Sequence, residues 1–67
     1  MTLTINGETK TFDQAPESIA DLLKALGLEG KPVLVEHNGT ALFPRQFPTT
    51  PLAENDTIKI IQISAGG

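Results

Sequence analysis

The chain opens with alternating polar and apolar residues, which is the period of a half-buried β-strand. This pattern covers residues 2–5. Asn6-Gly7 follows, and this pair favours a type I′ hairpin turn because both central positions of that turn need positive φ. Residues 8–12 are rich in threonine and end on Phe12, as expected of the return strand. The first twelve residues therefore predict a β-hairpin.

A short amphipathic helix is predicted after a proline-containing loop. Four apolar residues recur at helical spacing and form one stripe: Ile19, Leu22, Leu23 and Leu26. Ser18 is a good N-cap, and Asp21 stands three positions later as in a capping box. Gly27 suits the left-handed position that ends a helix, and Leu28 can make the accompanying apolar contact. A helix of about two to three turns is unstable alone, so it must pack on the sheet.

The second half of the chain predicts three more strands. Residues 33–37 are β-rich, Asn38-Gly39 is a second hairpin turn, and residues 40–42 are the short return strand. Three prolines in residues 43–52 exclude a central strand there. That segment is predicted to be an ordered loop with one 3₁₀ turn near residues 45–47. Residues 54–56 form a turn, and residues 57–63 form the last and most apolar strand.

The order β-β-α-β-β-β predicts an α+β fold of the β-grasp (ubiquitin-like) type. Its mixed sheet has about five strands, with one helix packed across it. The last strand should be central and run parallel beside the first. We expect residues 1–63 to form this domain and residues 64–67 to form a flexible C-terminal tail.

The last strand carries apolar side chains on both faces. Ile58 and Ile60 share one face, and Ile61 and Ile63 lie on the other. The helix covers one face only, and so short a chain has no second layer for the other. Ile61 and Ile63 are therefore predicted to be an exposed patch that docks a partner. The alternative is a β-bulge near Ile60 that turns some of these side chains inward.

Composition excludes several classes of function. The 67 residues are enough for one domain, and five Lys and Arg against eight Asp and Glu provide no basic face for nucleic acid. The acidic balance would suit a basic surface on a protein partner, or simply solubility. There is no cysteine and one histidine, which excludes disulfides, thiolate chemistry and the usual zinc site. The absence of cysteine is consistent with a cytoplasmic protein, which is expected. The N-terminus resembles neither a signal peptide nor a membrane span.

Few side chains are candidates for chemistry, and an enzyme is not predicted. His37 is read as an ordinary strand histidine, because a general base needs an oriented partner and a nucleophile beside it. Asp13, Glu17 and Asp21 surround the helix start, where negative charge is favourable without a metal. Arg45 could bind a phosphate or a partner carboxylate, or anchor its own loop.

The last four residues, Ser64-Ala65-Gly66-Gly67, are all small. Such a tail can enter a narrow tunnel and present its carboxylate to a bound nucleotide, since glycine permits close approaches that other residues forbid. The alternative is a frayed terminus. A Gly-Gly pair directly after the last strand of a β-grasp pattern favours the first interpretation.

Over essentially its whole length, the sequence resembles the ThiS-type sulfur carriers within the ThiS/MoaD group of ubiquitin-like proteins. The matching features are the Asn6-Gly7 turn, the helix start from Ser18 to Leu23, the strand and turn of residues 33–39, Pro44-Arg45 with Phe47, the strand entry at residues 55–58, and Ala65-Gly66-Gly67. The chain departs from the family pattern in its proline-rich loop and in Asn55, where glycine is common. Its length favours ThiS over the molybdopterin-synthase small subunit.

The resemblance implies a mechanism at the C-terminus. An adenylating enzyme of the ubiquitin-activating type would use Mg-ATP to adenylate the Gly67 carboxylate. A sulfur donor would then displace AMP and leave a thiocarboxylate. Gly66 and Ala65 would give clearance, and the carrier itself would bind no cofactor. The sulfur would pass to a thiazole synthase of thiamin biosynthesis.

Three alternatives remain open at this point. The same carrier chemistry could serve homocysteine, cysteine or molybdopterin synthesis. The chain could instead be a protein modifier ligated to lysines through Gly67. It could also be a pure interaction domain with a passive tail.

Overall fold

The computed structural model describes residues 1–63, which form a five-stranded mixed sheet with one α-helix packed on it. The elements in chain order are β1 Thr2–Ile5, β2 Glu8–Thr11, α1 Ile19–Ala25, β3 Val33–His37, β4 Thr40–Leu42, a 3₁₀ helix Pro44–Thr49, and β5 Thr57–Gln62. This is the predicted α+β, β-grasp architecture. The predicted tail of residues 64–67 lies outside the described residues.

The sheet has the strand order β2-β1-β5-β3-β4, so the last strand of the chain is central. It runs parallel to β1, as the sequence predicted, and antiparallel to β3. The β3–β5 register continues without interruption from the pair Val33 and Gln62 to the pair His37 and Ile58. The alternative of a β-bulge near Ile60 is therefore wrong.

Both Asn-Gly pairs form the predicted hairpin turns. Asn6 and Gly7 have φ values of 51° and 82°, and Asn38 and Gly39 have values of 50° and 86°. Positive φ at both central residues is the type I′ geometry, whose twist matches that of the flanking strands. The turn chemistry thus explains why each hairpin closes after two residues.

Local capping interactions define both ends of α1. The Ser18 Oγ accepts a hydrogen bond of 3.2 Å from the Asp21 N–H. At the other end Gly27 has a φ of 77°, and the N–H groups of Gly27 and Leu28 donate to the carbonyls of Lys24 and Leu23. That pair of bonds is the Schellman motif. The helix begins and ends where the sequence predicted.

The core lies between α1 and one face of the sheet. It consists of nine buried apolar side chains: Leu3, Ile5, Ile19, Leu22, Leu23, Val33, Val35, Ile58 and Ile60. Every sheet member of this set obeys the two-residue period of its strand, and the helix members come from the predicted stripe. The alternation in β1, β3 and β5 therefore selects the face that the helix covers.

The proline-rich loop is anchored to the start of α1. Its 3₁₀ helix, Pro44–Thr49, is longer than the single turn predicted. The Gln46 Oε1 accepts a 2.7 Å bond from the Phe43 N–H and closes its first turn. The Ile19 N–H then donates to the Thr50 carbonyl at 3.1 Å. These bonds give the loop order without a strand.

Candidate functional site

The face of the sheet opposite α1 carries an exposed apolar patch. We define the apolar patch as Leu34, Phe43, Ile61 and Ile63. These residues are 57%, 63%, 45% and 46% exposed, respectively. Leu34 and Ile61 are direct cross-strand partners on β3 and β5. Phe43, Ile63 and Leu34 line one open cavity of about 420 Å³. The four side chains therefore form one continuous surface beside the end of β5.

The other half of the same face is polar. Thr2 and Thr4 on β1 pair with Thr11 and Thr9 on β2, and their period places them opposite the buried Leu3. Large exposed apolar side chains among residues 1–63 are thus confined to the β5, β3 and β4 side. This asymmetry distinguishes the apolar patch from a uniformly apolar surface, and such patches mark interaction sites in small proteins.

A cation borders the apolar patch. The Arg45 guanidinium carbon lies 5.1 Å from the centroid of the Phe43 ring, within the range of a cation–π contact. Arg45 thus contacts a residue of its own loop, and its predicted roles in binding a phosphate or a partner carboxylate stay predictions. It also places a positive charge at the rim of the apolar patch.

His37 has a partner that the sequence did not reveal. Its Nε2 lies 2.7 Å from the Asp56 Oδ2, and because an ionised carboxylate only accepts, Nε2 donates. Asp56 also accepts bonds from the Asn38 Nδ2 at 3.0 Å and the Ala53 N–H at 2.9 Å. Burial of Asp56 opposes its ionisation, but the hydrogen bonds from Asn38, His37 and Ala53 outweigh it and lower the pKa of Asp56 below its ordinary value.

This cluster joins the β3–β4 turn to the entry of β5, and its contacts are structural. Within residues 1–63 the side-chain hydrogen bond of His37 goes to Asp56, a carboxylate, and not to a nucleophile. Among residues 1–63, His, Cys, Asp and Glu side chains do not gather in any group of three that could hold a metal ion. Asp13, Glu17 and Asp21 therefore do not form a metal cluster.

The predicted site residues divide into two sets. Ile61 and Ile63 are exposed beside the end of β5, where an incoming partner could reach them. Ala65, Gly66 and Gly67 lie outside the described residues. The docking role of Ile61 and Ile63 and the chemical role of Gly67 both remain predictions.

Sequence reasoning missed two members of the apolar patch, Leu34 and Phe43. The signal for Leu34 was present, since it alternates with the apolar residues Val33 and Val35 and must face away from them. Its pairing with Ile61 depends on the β3–β5 register and could not be found locally. Phe43 follows β4 directly, and its exposure depends on where the 3₁₀ helix directs the chain.

None of the helices within residues 1–63 combines the length and apolar character that crossing a membrane requires.

Comparisons with known proteins agree with this geometry. The sequence profile of the ThiS family matches residues 3–67. The sulfur carrier protein ThiS of Bacillus subtilis (strain 168) is 31% identical over 65 residues, covering 97% of this chain and 98% of that protein.

Solved structures give the same result. The crystal structure of the thiamine biosynthesis protein ThiS from Geobacter metallireducens superposes with a TM-score of 0.84 at 33% identity and full coverage of both chains. A solution structure of a thiamine biosynthesis protein from the same organism gives a TM-score of 0.82 at 33% identity, covering 100% of this chain and 88% of the other. The sheet order, the family match over residues 3–67 and the similarity to these relatives agree, and the chain belongs to the ThiS family.

Proposed function

We propose that this protein is a sulfur carrier of thiamin biosynthesis, activated at the carboxylate of Gly67. The observation that carries the proposal is the family match over residues 3–67, which includes the Gly66-Gly67 pair. The names of the Bacillus and Geobacter relatives support the sulfur-carrier role and the thiamin pathway. The chemical step belongs to an activating enzyme, and the carrier supplies the acyl group.

The reaction proceeds in two balanced steps. The Gly67 carboxylate attacks the α-phosphorus of Mg-ATP, which releases pyrophosphate and forms a mixed anhydride with AMP. A sulfur nucleophile such as hydrosulfide then attacks the glycyl carbonyl carbon, and AMP departs with the bonding electron pair. The product is a C-terminal thiocarboxylate. Activation is needed because a free carboxylate is a poor acceptor for nucleophiles, and a covalent intermediate divides one difficult step into two easier ones.

The tail composition suits this role. Gly66 and Ala65 present almost no side-chain volume, so the terminal carboxylate can be inserted into a narrow active site. The sulfur acceptor is proposed to be a thiazole synthase. The homocysteine, cysteine and molybdopterin pathways would use the same carrier chemistry with a different acceptor.

The apolar patch is proposed as the docking surface for the activating enzyme. Ile61 lies in β5 and Ile63 directly follows this strand, so both stand a few residues before Gly67. Leu34 and Phe43 enlarge the same surface. Contacts between the activating enzyme and this surface would hold the carrier close to the place where its Gly67 carboxylate reacts. Contiguous exposed apolar side chains rimmed by polar residues are typical of protein–protein interaction sites.

Intact mass tests the chemistry. The purified chain is incubated with the adenylating enzyme of its own organism, Mg-ATP and inorganic sulfide. We expect the mass to rise by the difference between one sulfur and one oxygen atom, and a variant lacking Gly67 should show no change. Finding only isopeptide adducts on other proteins would show that the chain is a modifier instead.

The docking role is tested with a matched pair of variants. Ile61→Asp puts a charge into the apolar patch, and Thr9→Asp puts the same charge on the polar half of the same face. We expect Ile61→Asp to weaken binding to the adenylating enzyme at least roughly tenfold, about 1.4 kcal/mol, while Thr9→Asp binds like the wild type. If Ile61→Asp unfolds the domain, the residue is a core residue and the assignment is wrong.

A further inference from the structure

The backbone groups of β5 alternate between two neighbouring strands. On the β3 side, the Asn38 N–H donates to the Thr57 carbonyl at 2.8 Å and the Ile63 N–H donates to the Pro32 carbonyl at 3.0 Å. In an antiparallel ladder such hydrogen-bonded pairs recur at every second residue. The odd-numbered residues of β5 therefore bond to β3, and the even-numbered residues direct their N–H and C=O groups toward β1.

On the β1 side, the strand residues that can hydrogen-bond to β5 run out before β5 ends. The Asn6 N–H donates to the Ile58 carbonyl at 3.0 Å, but β1 ends at Ile5 and the chain turns away at Gly7. The Asn6 side chain supplies the next pair of bonds. Its Oδ1 accepts from the Ile60 N–H at 2.7 Å and its Nδ2 donates to the Ile60 carbonyl at 3.0 Å. One side-chain amide thus takes the place of a further strand residue.

Gln62 is the next even-numbered residue of β5, and its backbone has no such pair of hydrogen bonds on the β1 side. By the alternation its N–H and C=O point to the β1 side, and among residues 1–63 neither group has a hydrogen-bond partner there. An open cleft of about 290 Å³ lies beside it, lined in part by Asn6, Lys10, Leu28 and Ile60. The central strand of the sheet therefore presents a short open edge immediately before the tail.

We propose that this open edge, the backbone of Gln62 beyond the Asn6 side chain, receives an extended segment of the enzyme that adenylates Gly67. A backbone donor and acceptor displayed by one strand residue match the donor and acceptor of another extended chain, which is the basis of strand addition. The added segment would continue the sheet where β1 stops.

The short chain between Gln62 and Gly67 indicates that the segment binding the open edge belongs to the adenylating enzyme. This step rests on the proposed function. Gly67 stands five positions after Gln62, and an extended chain spans about 3.3 Å per residue. The enzyme that holds the Gly67 carboxylate therefore lies within roughly 17 Å of Gln62. An enzyme surface that close is within reach of the end of β5, where the open edge and the apolar patch both lie.

The matched variants are Gln62→Pro and Gln62→Thr. Proline removes the Gln62 N–H without breaking a bond of the β3–β5 ladder, because that N–H points away from β3. Threonine changes the side chain and keeps the N–H. We expect Gln62→Pro to bind the adenylating enzyme roughly tenfold more weakly, which corresponds to one lost hydrogen bond, and Gln62→Thr to bind like the wild type. Equal binding by all three proteins would overturn the proposal.

Amide hydrogen exchange of the wild-type chain gives a second readout that does not depend on how Gln62→Pro folds. In the free protein the Gln62 amide should exchange faster than the Ile61 and Ile63 amides, which point to β3. In the complex with the adenylating enzyme it should become at least as protected as they are. A Gln62 amide that still exchanges rapidly in the complex would refute strand addition.

The two proposals fail in different ways. If the wild type forms thiocarboxylate while Gln62 stays unprotected and Gln62→Pro binds normally, the strand-addition proposal is wrong and the carrier function stands. If the wild type is not adenylated at all, the proposed function is wrong and this inference is refuted with it.

Discussion

At the scale of single residues, the two hairpin asparagines have a second role. Asn6 and Asn38 both adopt the positive φ of their turns, and both also bond to β5 through their side chains. The Asn38 Oδ1 accepts from the Thr57 N–H at 2.8 Å, and Asn6 bonds both backbone groups of Ile60. The two hairpins therefore hold the central strand from opposite sides.

Substitution of Asn6 separates its two roles. Glycine adopts positive φ without strain, so Asn6→Gly mainly removes the bonds to Ile60 and should lower the free energy of unfolding by about 1–2 kcal/mol. Asn6→Ala should lower it by roughly 1 kcal/mol more, because alanine resists positive φ. Urea denaturation measures both values. A glycine variant as stable as the wild type would show that the bonds to Ile60 add no net stability.

Asp56 gives stability a dependence on acid pH. The pKa of Asp56 is lower in the folded protein than its ordinary value of 3.8. Its contribution is therefore complete well above pH 3.8 and is lost as the pH falls through the folded-state pKa. We expect Asp56→Asn to be less stable than the wild type near neutral pH.

The difference between these two proteins should shrink as the pH falls below 3.8. Urea midpoints between about pH 6 and pH 3 test this. A difference that stays constant over that range would mean that ionisation of Asp56 does not contribute.

At the scale of elements, α1 is defined by its ends. Seven residues, Ile19–Ala25, are too few for a stable isolated helix. The Ser18 cap and the Schellman motif at Gly27 supply hydrogen-bond partners for N–H and C=O groups at the helix ends that have none within the helix. Burial of Ile19, Leu22 and Leu23 supplies the remaining stabilisation. The Ser18 cap and the Gly27 motif are local in sequence, which is why the helix bounds were predictable.

Gly27 provides a clean test of the helix end. A Cβ at this position would meet no atom within 4 Å, so a substitution there changes only the backbone energy at φ 77°. Gly27→Ala should destabilise the domain by about 1–2 kcal/mol, and Gly27→Asn by less, because asparagine tolerates this conformation better. Thermal unfolding should show a loss of roughly 4–8 °C per kcal/mol. Equal midpoints for alanine and wild type would mean that the helix ends differently.

At the scale of the whole molecule, the sheet is covered on one face only. Nine apolar side chains fill the space beneath α1, and within the described residues the other face has no covering layer. Because the side-chain period of a strand is two, neighbouring isoleucines of β5 have opposite environments. Ile60 is 7% exposed and Ile61 is 45% exposed.

The alanine variants of these neighbours should behave in opposite ways. Ile60→Ala leaves a cavity in the core and should cost about 2–5 kcal/mol of stability. Ile61→Ala should change stability by less than about 0.5 kcal/mol and should weaken binding to the adenylating enzyme instead. Urea denaturation and a binding titration on both variants test the pair. Comparable losses of stability would contradict the assignment of faces.

The sequence by itself determined everything that depends on near neighbours in the chain. The Asn-Gly turns, the Ser18 cap, the Gly27 helix end and the alternation in β5 are each set by residues a few positions apart. From these the element order and the β-grasp sheet followed. The exposure of Ile61 and Ile63 followed as well, because one helix can cover only one face.

The tertiary structure decided what depends on residues far apart. The pairing of His37 with Asp56 spans 19 positions and that of Asn6 with Ile60 spans 54. The joining of Leu34 to Ile61 and the open edge at Gln62 depend on the register of β5 against its two neighbours. No local pattern contains that register, because it is fixed only when the core closes and all strands align together.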